Sequence, residues 1–308
     1  MKDPMQLLSA HPVRKSGKQK TAFREEVRTL AEEYGYSYRE EKVSFGGHNV
    51  VLGDPEKARF LVTAHYDTCA SMLIPNLITP CNALPFLLYQ LVVTVYMAIL
   101  PVAVGLAARF LTGSQELSFW IGYITFWICL GMMMFGPANK TNANDNSSGV
   151  LTVLEIMRSL PVPQRDQVCF VLFDLEEAGL IGSSAYRKAH KAATDGQLVL
   201  NLDCVGDGDY LMLFPTKKLK KQKDKLDRLR KLTGPVGGKV LTLREKGFSV
   251  YPSDQRSFPL GVGICALREG PMGLYMGRIH TKRDTILDQT NVNILRSALT
   301  SLITCAVK

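Results

Sequence analysis

The sequence predicts an α/β fold: a three-layer α/β/α sandwich around a mostly parallel mixed sheet, carrying an inserted α-helical hairpin. Three observations predict it. Short apolar runs alternate with amphipathic segments of helix length, the pattern of a largely parallel sheet covered on both faces. Several of those runs stop abruptly at His, Asp or Glu, and in open α/β sheets ligands bind beyond the carboxyl ends of the strands. Two charge-free stretches, 84–108 and 117–135, interrupt the alternation early in the chain. With 308 residues, 46% of them hydrophobic, the chain fills one large domain.

In order, residues 19–34 place Phe23, Val27, Leu30, Ala31 and Tyr34 on one stripe of a packing helix. Residues 41–52 read as a strand pair turning at Gly46-Gly47, and 58–67 (ARFLVTAHYD) as a strand ending in His65 and Asp67. Each charge-free stretch is long enough, as a helix, to cross a hydrocarbon core of about 30 Å. The connector between them, 109–116, makes the pair an antiparallel hairpin. Pro101 is expected to kink its first helix, and Trp120, Tyr123 and Trp127 give it the aromatic character of membrane spans. A greasy lid or a dimer interface on a soluble protein is the competing reading.

From Asn142 the alternation resumes. A helix over 147–159 starts at Ser147 and Ser148 as N-cap candidates. A strand follows at 167–173, a helix at 183–191 and strands at 198–204 and 210–214. The basic segment 216–232 then forms a helix, followed by strands near 239–243 and 262–268 and a last helix over 291–306. The domain therefore comprises 1–68 and 138–308, discontinuous around an insertion at 69–137.

A formal charge of +9 points to a polyanion or an anionic membrane surface. The basic block 216–231 has no nucleic-acid recognition motif and no interleaved aromatics. It reads as a solvated amphipathic helix, with membrane-surface contact as the alternative and nucleic acid unlike its pattern. Seven cysteines without paired spacing read as buried thiols in a reducing compartment. The first residues lack an apolar core long enough for a signal peptide. Together these put the α/β domain on the cytoplasmic side of a cell membrane, as a multi-pass protein. No sequence feature sets an oligomeric state.

The chemistry lies at the strand ends. His65, Asp145, Glu177, Asp203 and His280 each sit where an apolar run gives way to a loop, with Asp67 and Glu176 beside two of them. Imidazole and carboxylate are the ligands of catalytic zinc, and paired metals are a common hydrolytic device. His11, His48 and His190 read as turn or surface histidines.

The ordered motifs HYD (65–67), NDN (144–146), EE (176–177), LDCVG (202–206) and HTKRDT (280–285) resemble those of the family 28 metallopeptidases, the co-catalytic di-zinc aminopeptidases. That family also holds glutaminyl cyclases and receptor-like members. The resemblance covers 19–68 and 138–306. It implies the zinc-dependent exopeptidase type of sandwich and two Zn2+ per chain. Asp145 would bridge the two zincs, with His65 and Asp203 completing one and Glu177 and His280 the other. Glu176 would be the general base acting on a metal-bridging water, and Asp67 would fix the tautomer of His65. A cis peptide at Asp145–Asn146 is implied as well.

The chain departs from the family at Gln255, where many relatives carry His in an SDH-x-x-F motif, which puts the substrate pocket in question. Ile279 stands where cyclases tend to carry Trp. The function implied is a membrane-tethered aminopeptidase acting on peptides and seated in the bilayer through the hairpin. A glutaminyl-cyclase-like acyltransferase and a non-catalytic membrane binding module are the alternatives. The base of the hairpin is expected near the metal cleft, where it would restrict the substrate.

Overall fold

The computed structural model describes residues 3–72 and 76–305. A short helix, α1 (Pro4–Ala10), precedes α2 (Gly17–Glu33), which Ser16 and Gln19 start with a reciprocal capping box. An antiparallel hairpin follows, β1 (Tyr38–Lys42) and β2 (His48–Leu52), turning where the sequence places its glycine pair. Strand β3 (Phe60–His65) is buried along its whole length, because helices cover both faces of the sheet around it.

Two long helices come next, α3 (Ala83–Thr112) and α4 (Gln115–Phe135), both long and apolar enough to cross a membrane. The eight-residue connector expected between them shrinks to Gly113 and Ser114. Arg109 to Thr112 continue α3 until Gly113 enters the left-handed region (φ 67°), and the Ser114 side chain then caps α4. The helices approach closely at two glycines: a Cβ on Gly105 would lie 3.1 Å from the Ser118 carbonyl, and one on Gly122 would lie 3.1 Å from that of Pro101. Ser118 Oγ donates to the Gly105 carbonyl at 2.7 Å, the small-residue packing typical of helices in lipid.

Beyond the hairpin lie α5 (Gly149–Ser159), β4 (Val168–Phe173), α6 (Ile181–Ala189), the single turn α7 (Lys191–Thr194), β5 (Leu198–Leu202) and β6 (Tyr210–Pro215). The basic segment is not one helix over 216–232. Gln222 breaks it (ψ 86°), leaving a short turn at Leu219–Lys221 and then α8 (Lys223–Arg230). Leu219, Leu226 and Leu229 are buried, the apolar side of the amphipathic pattern. The chain closes with β7 (Gly234–Val236), β8 (Lys239–Leu243), β9 (Gly261–Gly270), β10 (Gly273–Tyr275) and α9 (Gln289–Cys305). Residue 306, the last of the predicted final helix, lies outside the described residues.

The strand order is β1-β2-β4-β3-β5-β9-β6-β8-β7, with β10 hanging from β9. The central run β4-β3-β5-β9 is parallel, and β2 and β6 flank it antiparallel. Alternate residues of each strand go to opposite faces. Val62, Ala64, Phe170 and Leu200 join α1, α2, α5 and α9 in the larger core, and Leu61, Cys169, Val171 and Val199 pack with Tyr186 of α6 in a second. These are the three predicted layers. The parallel strands β3, β4 and β5 all point their carboxyl ends one way, so the loops after them share one crevice. All seven cysteines are free thiols, but Cys305 is exposed and Cys81 and Cys129 are half-buried, so the expectation of seven buried thiols fails for these three.

Candidate metal centre

His65 is the last residue of β3, and its position sets the rest. Its Nε2 lies 3.3 Å from Asp145 Oδ1 and 3.5 Å from Asp203 Oδ1. On the other side of Asp145, Oδ2 lies 3.0 Å from His280 Nε2, which is also 3.4 Å from Glu177 Oε2. One carboxylate thus divides its two oxygens between two imidazoles, each of which has a second acid of its own. The donor atoms of His65, Asp145 and Asp203 lie within 4.8 Å of one another, as do those of Cys69, Asp145, Glu177 and His280. Ligands at 2.0–2.2 Å on the corners of a tetrahedron sit about 3.3 Å apart. The observed spacings match that edge length.

Each loop is held by contacts across the crevice. Asn146 is the main tie: its Nδ2 donates to the carbonyls of Leu202 (3.0 Å) and His65 (3.4 Å). Its Oδ1 accepts the N–H groups of Gly149 (3.0 Å) and Cys204 (3.2 Å). Asn146 therefore does the capping expected of Ser147 and Ser148, whose hydroxyls serve elsewhere: Ser148 Oγ donates to the Asn144 carbonyl. Gly149 leaves room for this tie, since a Cβ there would lie 2.3 Å from Asn146 Oδ1. The Asp145–Asn146 peptide is cis, as the family resemblance implies.

Asp67 links two loops. Its carboxylate accepts the N–H groups of Glu176 (3.2 Å) and Glu177 (3.3 Å), and its carbonyl lies 3.1 Å from His65 Nδ1, closer than its carboxylate at 3.5 Å. Leu175, Cys204 and His280 all occupy the left-handed region (φ 59°, 56° and 60°), so three of the loops carrying these acids and imidazoles turn through a conformation that non-glycine residues rarely adopt. Such residues persist only where their surroundings over-determine them.

Burial and mutual repulsion set the charge states. Burial pushes the Glu176 carboxyl well above its ordinary range, with His65 opposing and Glu177 adding to the rise. Glu177 is pushed up to about 8, again chiefly by burial. Burial would depress His280, but Glu177 and Asp145 outweigh it and raise it to about 9. The cluster is short of positive charge. Glu177 Oε1 and both carboxylate oxygens of Asp254 are buried without a hydrogen-bond partner. Unpaired buried carboxylates are costly, and a divalent cation is the group that this donor set fits.

Every residue named from sequence for the site is therefore in the crevice: His65, Asp67, Asp145, Glu176, Glu177, Asp203 and His280. His11, His48 and His190 are elsewhere, His48 beside Glu40 and His190 between Glu41 and Glu56. The sequence reading assigns no site role to four contributors, two of which, Asp254 and Asp284, lie within its motifs. Asp284 accepts the N–H groups of Asn144 (2.7 Å) and Asp145 (3.0 Å). Arg14, fully buried, donates to the Tyr66 carbonyl (2.6 Å) and to Ser147 Oγ (3.1 Å), stapling the N-terminal segment to the loops of His65 and Asp145. Asp254 lies in the variant SDQ motif, and Cys69 reads from sequence only as a thiol. A cavity of about 200 Å³ opens on the cluster, and residues of the insertion, among them Leu77, Phe86 and Tyr89, line it.

Comparison with known proteins agrees with this architecture. The sequence profile of peptidase family M28 matches residues 131–302, more than half of the chain. Aminopeptidase YwaD of Bacillus subtilis is 42% identical over 67 residues, which is 21% of this chain and 15% of that protein. Among solved structures, glutaminyl cyclase of Porphyromonas gingivalis superposes with a TM-score of 0.61 at 15% identity, covering 98% of this chain and 96% of that one. A Zn-dependent exopeptidase of Parabacteroides distasonis gives 0.61 at 14% identity over 97% and 94%. A leucine aminopeptidase precursor of Bacteroides thetaiotaomicron gives 0.60 at 14% over 97% and 93%. At such identities the likeness is one of fold.

Proposed function

This chain belongs to peptidase family M28, and from that membership we propose that it is a di-zinc aminopeptidase that removes N-terminal residues from peptides at a membrane surface. The observation that carries the reading is Asp145 shared between two donor groups at zinc-ligand spacing. His65, Asp145 and Asp203 would hold one zinc, and Asp145, Glu177 and His280 the other. When bound, the pair supplies Lewis acidity to a peptide carbonyl and lowers the pKa of a water.

The chain's own residues do the remainder. Glu176 lines the cavity beside the ligand Glu177, and its buried carboxyl favours the protonated form far more than an exposed one does. In its ionised form it takes the proton of the attacking water and, now protonated, gives it to the departing amine. Asp67 aligns Glu176 and Glu177 through their N–H groups and stands against His65 Nδ1, so base and ligands move as a unit. Glu177 and Glu176 differ in role because ligation keeps one ionised while the other stays free to titrate.

Membrane attachment is supported by the surface of the hairpin. Leu87, Leu91, Ile99, Leu106, Phe119, Trp120 and Trp127 are all at least half exposed, on helices long enough to span a bilayer. The absence of disulfides among the cysteines supports a reducing, cytoplasmic side for the catalytic unit. Peptidase is preferred to cyclase because Ile279, buried on the cavity wall, stands where cyclases tend to carry Trp.

The test is metal content by mass spectrometry on detergent-purified protein, with hydrolysis of aminoacyl chromogenic amides by wild type and Glu176→Ala. Two zincs per chain, with activity lost and metal kept in the variant, is the expected result. One zinc with pyroglutamate formed from N-terminal Gln would replace the peptidase by a cyclase. No metal and no turnover would leave a membrane binding module.

A further inference from the structure

The cavity over the metal cluster is not closed by the sheet domain alone. Tyr251, Pro252 and Ile279 line it together with Leu77, Ile78, Phe86, Tyr89 and Gln90 from the segment 76–90. This segment is fastened. Ile78 and Met276 exchange backbone hydrogen bonds at 2.8 and 2.9 Å, and Val250 N–H donates to the Pro80 carbonyl at 3.0 Å. Asn82 Nδ2 donates to the Met272 carbonyl at 3.2 Å, and the rings of Phe86 and Phe248 lie 5.6 Å apart. The first turns of α3 are thus part of the pocket wall and the start of a membrane-length helix at once.

We infer that the segment 76–90 is the specificity wall of the site: it selects peptides whose N-terminal side chain is large and apolar, and it stops the chain from extending past that residue. The inference rests on the aminopeptidase reading and deepens it. Its chemistry is legible in the lining. Outside the cluster of acids and imidazoles, no charged residue among the described residues lines the cavity. A lysine or arginine side chain entering it would lose its water and meet Leu77, Ile78, Phe86 and Ile279, with the amide and phenol groups of Asn76, Gln90, Tyr89 and Tyr251 as replacements for that water. An acidic side chain would lose its water in the same way. A cavity of about 200 Å³ has room for one such side chain, and Phe86, Tyr89 and Gln90 at the start of α3 are part of its wall, so one residue is released per cut.

The experiment uses the full chain in detergent with its metal, and compares kcat/KM for leucyl, phenylalanyl, alanyl, lysyl and glutamyl amides. The expected result is preference for Leu and Phe over Lys and Glu by at least about tenfold. Phe86→Ala should lower the Leu-over-Ala ratio by about tenfold, mostly through KM, with metal content unchanged. Gln90→Glu should raise the Lys-over-Leu ratio by a similar factor, a gain that misfolding cannot produce. Equal turnover of Leu and Lys amides by wild type, or ratios untouched by both variants, would overturn the inference and leave the peptidase intact. If wild type cleaves no amide at all, the peptidase reading fails. Calorimetric binding of Leu- and Lys-terminated tripeptides then decides the wall: tenfold preference for Leu, lost in Phe86→Ala, upholds it, and equal or absent binding removes it.

Discussion

Asp284 Oδ2 accepts the backbone N–H of Asp145 at 3.0 Å, and its other oxygen accepts that of Asn144 at 2.7 Å. The residue at the centre of the two donor groups is therefore oriented by an acid on the loop that carries His280. Asp284→Ala should lower metal affinity or kcat by about 10–100-fold, the usual cost of removing a partner that orients a ligand. Zinc content after dialysis against graded chelator, together with circular dichroism to check folding, reads this out.

Asp67 offers a parallel case with a different signature. It joins the N–H groups of Glu176 and Glu177 to the loop of His65, so Asp67→Asn keeps one acceptor and Asp67→Ala keeps none. Ala should cost about 10–100-fold in kcat and Asn less. Because the proposed base, Glu176, donates its N–H to Asp67, the acidic limb of the pH–rate profile should shift in both variants. A mere loss of stability would leave that limb in place.

The metal-free protein should lose stability as pH rises from mildly acidic to alkaline. Glu177 is raised to about 8 and Asp284 to about 7, both chiefly by burial, and His280 to about 9 by Glu177 and Asp145 against burial. Each binds more protons folded than unfolded between its ordinary value and these raised ones, so folding is favoured at the acid end and the benefit fades from mildly acidic pH up to about 9. Zinc reverses the trend, since its binding releases protons. Thermal unfolding with and without chelator should show the metal-induced gain in Tm widening from pH 6 to pH 8. A gain that narrowed would contradict these charge states.

Gly122 and Gly105 set the distance between α3 and α4, and a Cβ on either meets a carbonyl at 3.1 Å. Gly122→Ile should separate the helices, at a cost of about 1–3 kcal/mol. Disulfide trapping of engineered cysteine pairs across the hairpin, in detergent micelles, should fall in the variant while zinc content holds.

Much of the fold and the site is legible in the residues alone, for a definite reason. Buried strands write their length as apolar runs, and the residues that end them are where a sheet presents its crevice, so His65, Glu177 and Asp203 announce themselves. What stays hidden depends on pairing at a distance. Asp284 falls within the HTKRDT motif, but its pairing with backbone groups at 144 and 145 is marked by no local pattern. Arg14 lies in a segment without periodicity. Asn146 displaces Ser147 and Ser148 as cap because its amide reaches β3, β5 and α5 together. The contiguous basic run 216–232 conceals a break at Gln222, since charge says little about backbone angles. The base of the hairpin is expected near the cleft, yet only the fold shows which of its residues face the cluster.

The two ends of the insertion meet. Ala70 and Ala138 form a bridged pair, Ser71 N–H donates to the Pro137 carbonyl at 2.8 Å, and Asn139 N–H donates to that of Cys69 at 3.1 Å. Strand β3, which carries His65, is made before this doorway. Strands β4 and β5, which must flank β3, are made after it, as are Asp145, Glu177, Asp203 and His280. During synthesis the whole hairpin therefore leaves the ribosome before β3 has its neighbours, and before more than one of the proposed ligands exists. The order of the chain places assembly of the apolar stalk ahead of assembly of the chemistry.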